Sequence, residues 1–248
     1  MKKTKRIPTI VVVFILSLGL GLGVILVQYK SIFRLQANPD FAPQGIKITN
    51  INDSSFTVSW TTGAKTLGAI VWGGTASLGR LATSTDQTPK DVHYITINDL
   101  LPSTTYYFKI NSAGGEFDNS GIPWQIKTIQ KKTPVNASQI SGVILNPSGQ
   151  PAQNVIVSLT ISGSHFSDLT SANGSWVISL SNIEVAKNIL LQIYANGGSL
   201  GASSAQVYLA SVPIPPMTLG KTYDFRNLIK DNPNLPAVQL QVPKNPEP

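Results

Sequence analysis

Cysteine is absent from the 248 residues, which excludes disulfides, thiolate metal sites and a cysteine nucleophile. Histidine occurs only at His93 and His165, and neither has a ligand-type partner at i+4, so no metal-binding pattern forms. Charged residues make up 12%, about half the roughly 25% of ordinary globular chains. That scarcity argues against a disordered polyelectrolyte and against a long charge-laced helix. Acidic residues are missing altogether from the first 34 positions, which hold six of the 19 basic ones: Lys2, Lys3, Lys5, Arg6, Lys30 and Arg34. From residue 35 onward 13 basic residues face 12 acidic ones. The net charge of +7 therefore belongs to the N-terminus, and the remainder offers no electrostatic funnel for a polyanion. Nucleic acid is excluded as a partner on this ground.

What the N-terminus does have is one long apolar run. Residues 7–27 carry no charge over 21 positions, close to the ~20 that cross a hydrocarbon core as a helix. Four basic residues precede the run and two follow it, which predicts a cytoplasmic N-terminus (residues 1–6), a membrane-spanning helix over 7–27 and export of the rest. A cleaved signal peptide is the alternative, but its apolar region is normally ~7–15 residues long and ends at a small-x-small site. Here the best site, Leu35-Gln36-Ala37, starts with leucine. Gly19 and Gly23 stand at the small-xxx-small spacing of helix dimers, giving a candidate homodimer contact within the membrane.

Beyond a linker over 28–41, period-two patterning takes over. Phe56, Val58 and Trp60 alternate with Thr57, Ser59 and Thr61, and Tyr106, Phe108 and Ile110 with Tyr107, Lys109 and Asn111. Both read as half-buried strands. Turn-rich segments separate about seven such runs between residues 42 and 129, the signature of an antiparallel sandwich. Leu100-Leu101-Pro102-Ser103-Thr104-Thr105-Tyr106 resembles the L-x-P-x-T-x-Y segment of fibronectin type III domains. That resemblance implies that Tyr106 forms a tyrosine corner and that Trp60 is buried on the second strand. Ile70-Val71-Trp72-Gly73-Gly74 with the later His93-Tyr94-Ile95-Thr96-Ile97 is similar to the variant at the N-terminus of purple acid phosphatases, a module without catalysis. No Asp/His/Asn ligand cluster follows it, so phosphatase activity is not expected.

A short linker over 130–137 leads to a second pattern over 138–227. Ser141-Gly142-Val143, Gly149-Gln150-Pro151 and Thr170-Ser171-Ala172-Asn173-Gly174-Ser175-Trp176 resemble the carboxypeptidase-regulatory-like module, a transthyretin-like β-sandwich that is also non-catalytic. Gly149 with Pro151 reads as hairpin punctuation and Asn173-Gly174 as a tight turn between strands. The expected fold class is thus all-β: two tandem immunoglobulin-like sandwiches behind one transmembrane helix. Each module has strands enough for its own core, and residues 228–248, rich in proline, are expected to be a flexible tail.

Few residues invite chemistry, and no cofactor is expected. Gly197-Gly198-Ser199-Leu200-Gly201 matches G-x-S-x-G, but a nucleophile elbow needs a helix after it and a histidine downstream. A flexible loop is expected instead. Asp86, Asp91 and Asp99 are spaced too widely for one calcium loop. Aromatic rings remain: Trp72, Tyr107, Trp124, Trp176, Tyr194 and Tyr208. Rings exposed on a sandwich can stack on sugars or bury a peptide, and Trp72 and Trp124 are the candidate binding residues. Both also have the option of packing between modules, while Trp60 and Trp176 are expected in the cores. The functional expectation is a membrane-anchored bacterial surface protein displaying two non-catalytic modules for protein–protein interaction, adhesion or envelope structure. An accessory carbohydrate-binding role is the alternative, and the extracellular partner, protein or glycan, is unspecified.

Overall fold

A computed structural model describes residues 39–84, 86–131, 133, 139–180, 183, 189–209 and 213–228. The expected anchor over 7–27 with its basic flank, the Gly19/Gly23 pair and the tail from 229 lie outside the described residues. Among the described residues no helix is long and apolar enough to cross a membrane. Among the described residues the secondary structure is all-β apart from three single 3-10 turns.

Two hydrophobic cores form. The first lies between a three-stranded sheet and a larger one. The smaller sheet is ordered β1 (Gln44–Thr49), β2 (Phe56–Thr66), β5 (Lys90–Ile97). The larger runs β4 (Arg80–Thr83), β3 (Gly68–Gly73), β6 (Thr105–Ser112), β7 (Gly115–Phe117), with β8 (Trp124–Lys127) also pairing β6. Phe56, Val58 and Trp60 of β2 meet Ile70 and Trp72 of β3 and Phe108 and Ile110 of β6. The alternation read along β6 holds: Tyr106, Phe108 and Ile110 are buried while Tyr107, Lys109 and Asn111 are only partly covered. The alternation along β2 does not. Thr57 and Ser59, expected to face water, are 1% exposed, because the outer face of this sheet is covered by the second half of the chain. The turn Gly198–Leu200 packs against β2 and β5 there.

The second core lies between a three-stranded and a five-stranded sheet. The smaller is ordered β12 (Ser175–Ser179), β9 (Gln139–Leu145), β15 (Met217–Thr218). The larger is ordered β11 (Ser164–Leu169), β10 (Ile156–Ile161), β13 (Leu190–Asn196), β14 (Ala202–Tyr208), β16 (Thr222–Asp224). Trp176, 1% exposed, sits at its centre with Ile140, Ile144, Val157 and Ile193. The hairpin read at Gly149 and Pro151 forms at the end of β9: Leu145 and Pro151 make an antiparallel bridge, and the Ala152 N–H donates to the Ile144 carbonyl at 2.9 Å, before the chain crosses to β10 in the opposite sheet. The Asn146 side chain accepts the N–H groups of Ser148 and Gln150, which tightens this turn. Asn173-Gly174 is the tight turn expected between strands: the Gly174 N–H donates to the Ser171 carbonyl at 2.9 Å and Gly174 sits at φ +76°, and the turn carries the chain from β11 to β12 in the other sheet.

Local chemistry fixes both ends of the fold. The Tyr106 hydroxyl accepts the Leu101 N–H at 2.9 Å, the tyrosine corner that the 100–106 segment implies. A second corner was not foreseen: Tyr223 accepts the Thr218 N–H at 2.8 Å, again five residues upstream. In the first core the His93 ring stacks on Trp60, centroids 4.8 Å apart, and Nε2 lies 3.1 Å from Thr66 Oγ1. Gly68 makes room for this stack, since a Cβ there would lie 2.3 Å from His93 Nδ1.

Two outcomes are expected in urea unfolding. Tyr106→Phe keeps the ring but removes the acceptor of the Leu101 N–H, at a cost of about 0.5–1.5 kcal/mol, whereas Tyr107→Phe should cost only a few tenths, roughly 0.3 kcal/mol or less. Equal losses would mean that the corner bond contributes nothing. Burial pushes the His93 imidazole from 6.5 down to about 4, outweighing the nearby Asp91 carboxylate that favours its charge. The unfolded chain therefore takes up a proton that the folded one refuses. Stability should fall by about 3 kcal/mol as pH drops from 6.5 to 4. His93→Phe should flatten that window, and an unchanged slope in the variant would place the effect elsewhere.

Candidate interaction site

The two cores meet along a polar seam built from the edge strands β1 and β11. Asn50 closes β1 with φ +52°, a left-handed conformation that asparagine tolerates better than most residues. This turns its carboxamide onto β11. Its Nδ2 donates to the Ser167 carbonyl at 2.9 Å and its Oδ1 accepts the Ser167 N–H at 2.9 Å. The side chain thus stands in for a peptide group of a neighbouring strand. Its own backbone N–H donates to the His165 carbonyl at 2.9 Å. Around this point Thr49 and Ser167 share a buried hydroxyl–hydroxyl bond of 2.5 Å. Tyr94 Oη donates to the Ser167 carbonyl and accepts from Asn50 Nδ2, each at 3.0 Å. Burial raises the Tyr94 pKa, so the hydroxyl keeps the proton that it donates.

A second clamp is the G-x-S-x-G segment, which is not the flexible loop expected from the sequence. It forms a single 3-10 turn, Gly198–Leu200, and the Ser199 N–H donates to Asp91 Oδ2 at 2.8 Å. Burial works against charge on Asp91, but the Ser199 donors prevail and hold its pKa below the ordinary value. Gly198 has φ +59°, and a Cβ there would lie 2.8 Å from Asp91 Oδ2 and 2.9 Å from Val92 Cγ2. Glycine is what allows the close approach.

Beside the seam the two halves leave an open cleft of about 470 Å³, within the ~300–1,000 Å³ of ligand sites. Ile46, Lys47 and Ile48 of β1 and Trp124 of β8 form one wall; Ser158 and Thr160 of β10, His165 of β11 and Tyr194 of β13 form the other. Trp124 rests on Phe108, centroids 5.4 Å apart, and remains partly exposed. Tyr194 is 45% exposed. The Lys47 ammonium lies over the Tyr194 ring, 5.5 Å from its centroid, and donates to Ser158 Oγ at 2.9 Å.

The two candidate tryptophans therefore separate. Trp124 lines the cleft. Trp72 is a correction: it is 7% exposed, edge-on to Tyr106 at 5.8 Å and covered by the Arg80 guanidinium 5.0 Å from its centroid, and it lies away from the seam. Trp176 is core, Tyr107 and Tyr208 are partly covered, and Tyr194 is the ring that joins Trp124. Among the described residues no group of three or more His, Cys, Asp or Glu stands close enough to hold a metal ion. Asp86 pairs with Lys90 and Asp91 with Ser199, so these acids serve separate contacts.

Residues 43–128 match the sequence family described as Purple acid Phosphatase, N-terminal domain. The match reaches only that domain, and no catalytic domain is matched. No curated protein matches the chain. Among solved structures, the FN5 domain of Drosophila Lar is 22% identical over 36% of this chain and 96% of its own, with a TM-score of 0.26. The chicken CNTN1 FN1-FN3 domains are 17% identical over 67% of this chain and 64% of theirs, with a TM-score of 0.28. A PhoD structure is 10% identical over 45% of this chain, with a TM-score of 0.31, and this chain spans 23% of its length. The fibronectin-III-like character of the first half rests on the family match, the strand ladders and the tyrosine corner.

Asn50→Ala should break the seam, because it strips the Ser167 N–H of its acceptor at a cost of about 1–3 kcal/mol. By calorimetry the parent chain should unfold in one transition, and Asn50→Ala and Gly198→Ala should each split it in two as the halves uncouple. A single unshifted transition in both variants would show that the seam does not couple the halves.

Proposed function

We propose that this chain is a membrane-anchored bacterial surface protein that presents two non-catalytic β-sandwich modules, in one fixed orientation, for protein–protein interaction, adhesion or envelope structure. The observation that carries this reading is the seam at Asn50 and Ser167. A pair of modules locked by reciprocal backbone-type bonds is a rigid display element, whereas a free linker would let each module sample its own orientation. Fibronectin-III-like sandwiches commonly mediate protein contacts, which supports the same reading. The uncharged run over 7–27 with its basic flank supports the anchor, and Gly19 with Gly23 supports pairing of two anchors. The G-x-V, G-x-P and T-x-x-x-G-x-W elements over 141–176 support a carboxypeptidase-regulatory-like second module.

A second reading is an accessory carbohydrate-binding protein, favoured by one observation: Trp124 and Tyr194, from different halves of the chain, line the same cleft. Aromatic faces at the border of an open polar cleft suit a sugar ring, whose C–H face stacks while its hydroxyls bond side chains.

Protease added to whole cells, after permeabilisation of any outer envelope, should digest residues 42–248 and leave the N-terminal segment intact. Protection of both modules would overturn the orientation. Crosslinking of the membrane-embedded chain should then trap a discrete partner; a chain that yields no adduct would count against an interaction role.

A further inference from the structure

We propose that the cleft between the modules binds an acidic saccharide, with the Lys47 ammonium taking the carboxylate and Tyr194 and Trp124 the ring faces. The inference rests on the saccharide reading above and names its ligand class. Its starting point is an imbalance of charge. Lys47 is the one charged side chain lining the cleft, and no Asp or Glu lines it. Among the described residues the ion pairs are Lys90–Asp86, Lys109–Glu116, Lys109–Asp118 and Arg226–Asp224, and Lys47 joins none of them. Its neighbours are instead a neutral hydroxyl, Ser158 Oγ at 2.9 Å, and the Tyr194 ring. Although the residue as a whole is exposed, partial desolvation of the ammonium lowers its pKa. A cation set against a neutral hydroxyl and an aromatic face, with no counter-charge, favours an anionic occupant.

The surrounding groups narrow the class. Trp124 has one face committed to Phe108 and lies in the wall of the cleft, while Tyr194 is nearly half exposed. Two flat rings suit the C–H face of a pyranose. Thr160 Oγ1 and His165 Nδ1, 2.9 Å apart, form an exposed donor–acceptor pair that sugar hydroxyls can join. Simple anions would use Lys47 and leave the rings idle; a neutral sugar would use the rings and leave the ammonium unpaired. A uronic acid uses both.

The test is isothermal titration of the full chain in detergent with trigalacturonate, its neutral methyl ester and a tri-aspartate peptide. Trigalacturonate should bind about tenfold tighter than the ester, the scale of one charge-assisted contact near a surface. Lys47→Met should bring the acid to within about twofold of the ester, and Tyr194→Ala should weaken both by about tenfold or more. If Lys47→Met does not fold, raising salt from low to high should weaken the acid and spare the ester in the parent chain. Equal binding of acid and ester would overturn the acidic ligand while leaving the saccharide reading standing. Absence of any saccharide binding would remove both. Binding of tri-aspartate as tight as trigalacturonate and indifferent to Tyr194→Ala would reduce the cleft to a simple anion contact and overturn the proposal.

Discussion

The carboxamide of Asn50 sets the relation of everything else in this molecule. An edge strand ends with unpaired N–H and C=O groups that invite pairing with another chain. Here β1 and β11, each an edge of its sheet, meet at Asn50, whose side chain supplies one acceptor and one donor to the Ser167 peptide. Because both bonds fall on one residue, the halves cannot slide along each other by a fraction of a strand without losing both. Tyr94 and Thr49 then close over the same serine. A polar seam of this kind adds little net stability, since its groups are solvated by water when the halves part. Its effect is on uniqueness: a misaligned junction would bury the same polar groups unpaired, which is far more costly.

That constraint also explains the burial of Thr57 and Ser59. Periodicity along β2 describes a strand with one wet face, and the strand would have one if the first module stood alone. Docking of the second half brings the Gly198–Leu200 turn onto this face and sets Ser167 against Asn50 beside Thr57, and Thr57 and Ser59 become interior. Thr57 answers by sharing a hydroxyl bond of 2.9 Å with Thr96 on the neighbouring strand and lying 3.4 Å from Asn50 Nδ2, which donates to it.

What was legible in the sequence follows from distance along the chain. Tyr106 and Leu101 are five residues apart, and their bond is written in the Leu-Pro-x-Thr turn between them. Trp60 and Trp176 lie in alternating runs whose inward face is fixed by the neighbours at i±2. The seam had no such signature, because Asn50 and Ser167 are 117 residues apart and an asparagine at a strand end reads as ordinary turn chemistry. Trp72 failed for a related reason. Its ring is covered by Tyr106 and Arg80, and nothing in β3 itself announces a cationic lid from β4. Gly198-Ser199 read as a loose loop because a glycine pair is loose in isolation; Asp91, 108 residues upstream, orders it.

The cleft sits where the two cores meet. Trp124 belongs to β8 and Tyr194 to β13, strands of different cores, and they line one cavity only while the seam holds the halves in place. Occupancy of the cleft and closure of the seam are therefore thermodynamically linked: a ligand that touches both walls favours the docked arrangement, and a tighter seam raises affinity by the same factor. In the proposed reading, rigid presentation and ligand binding are two consequences of one junction. Such coupling favours binding, because an orientation fixed before encounter spares the ordering cost that a hinged pair would incur on binding.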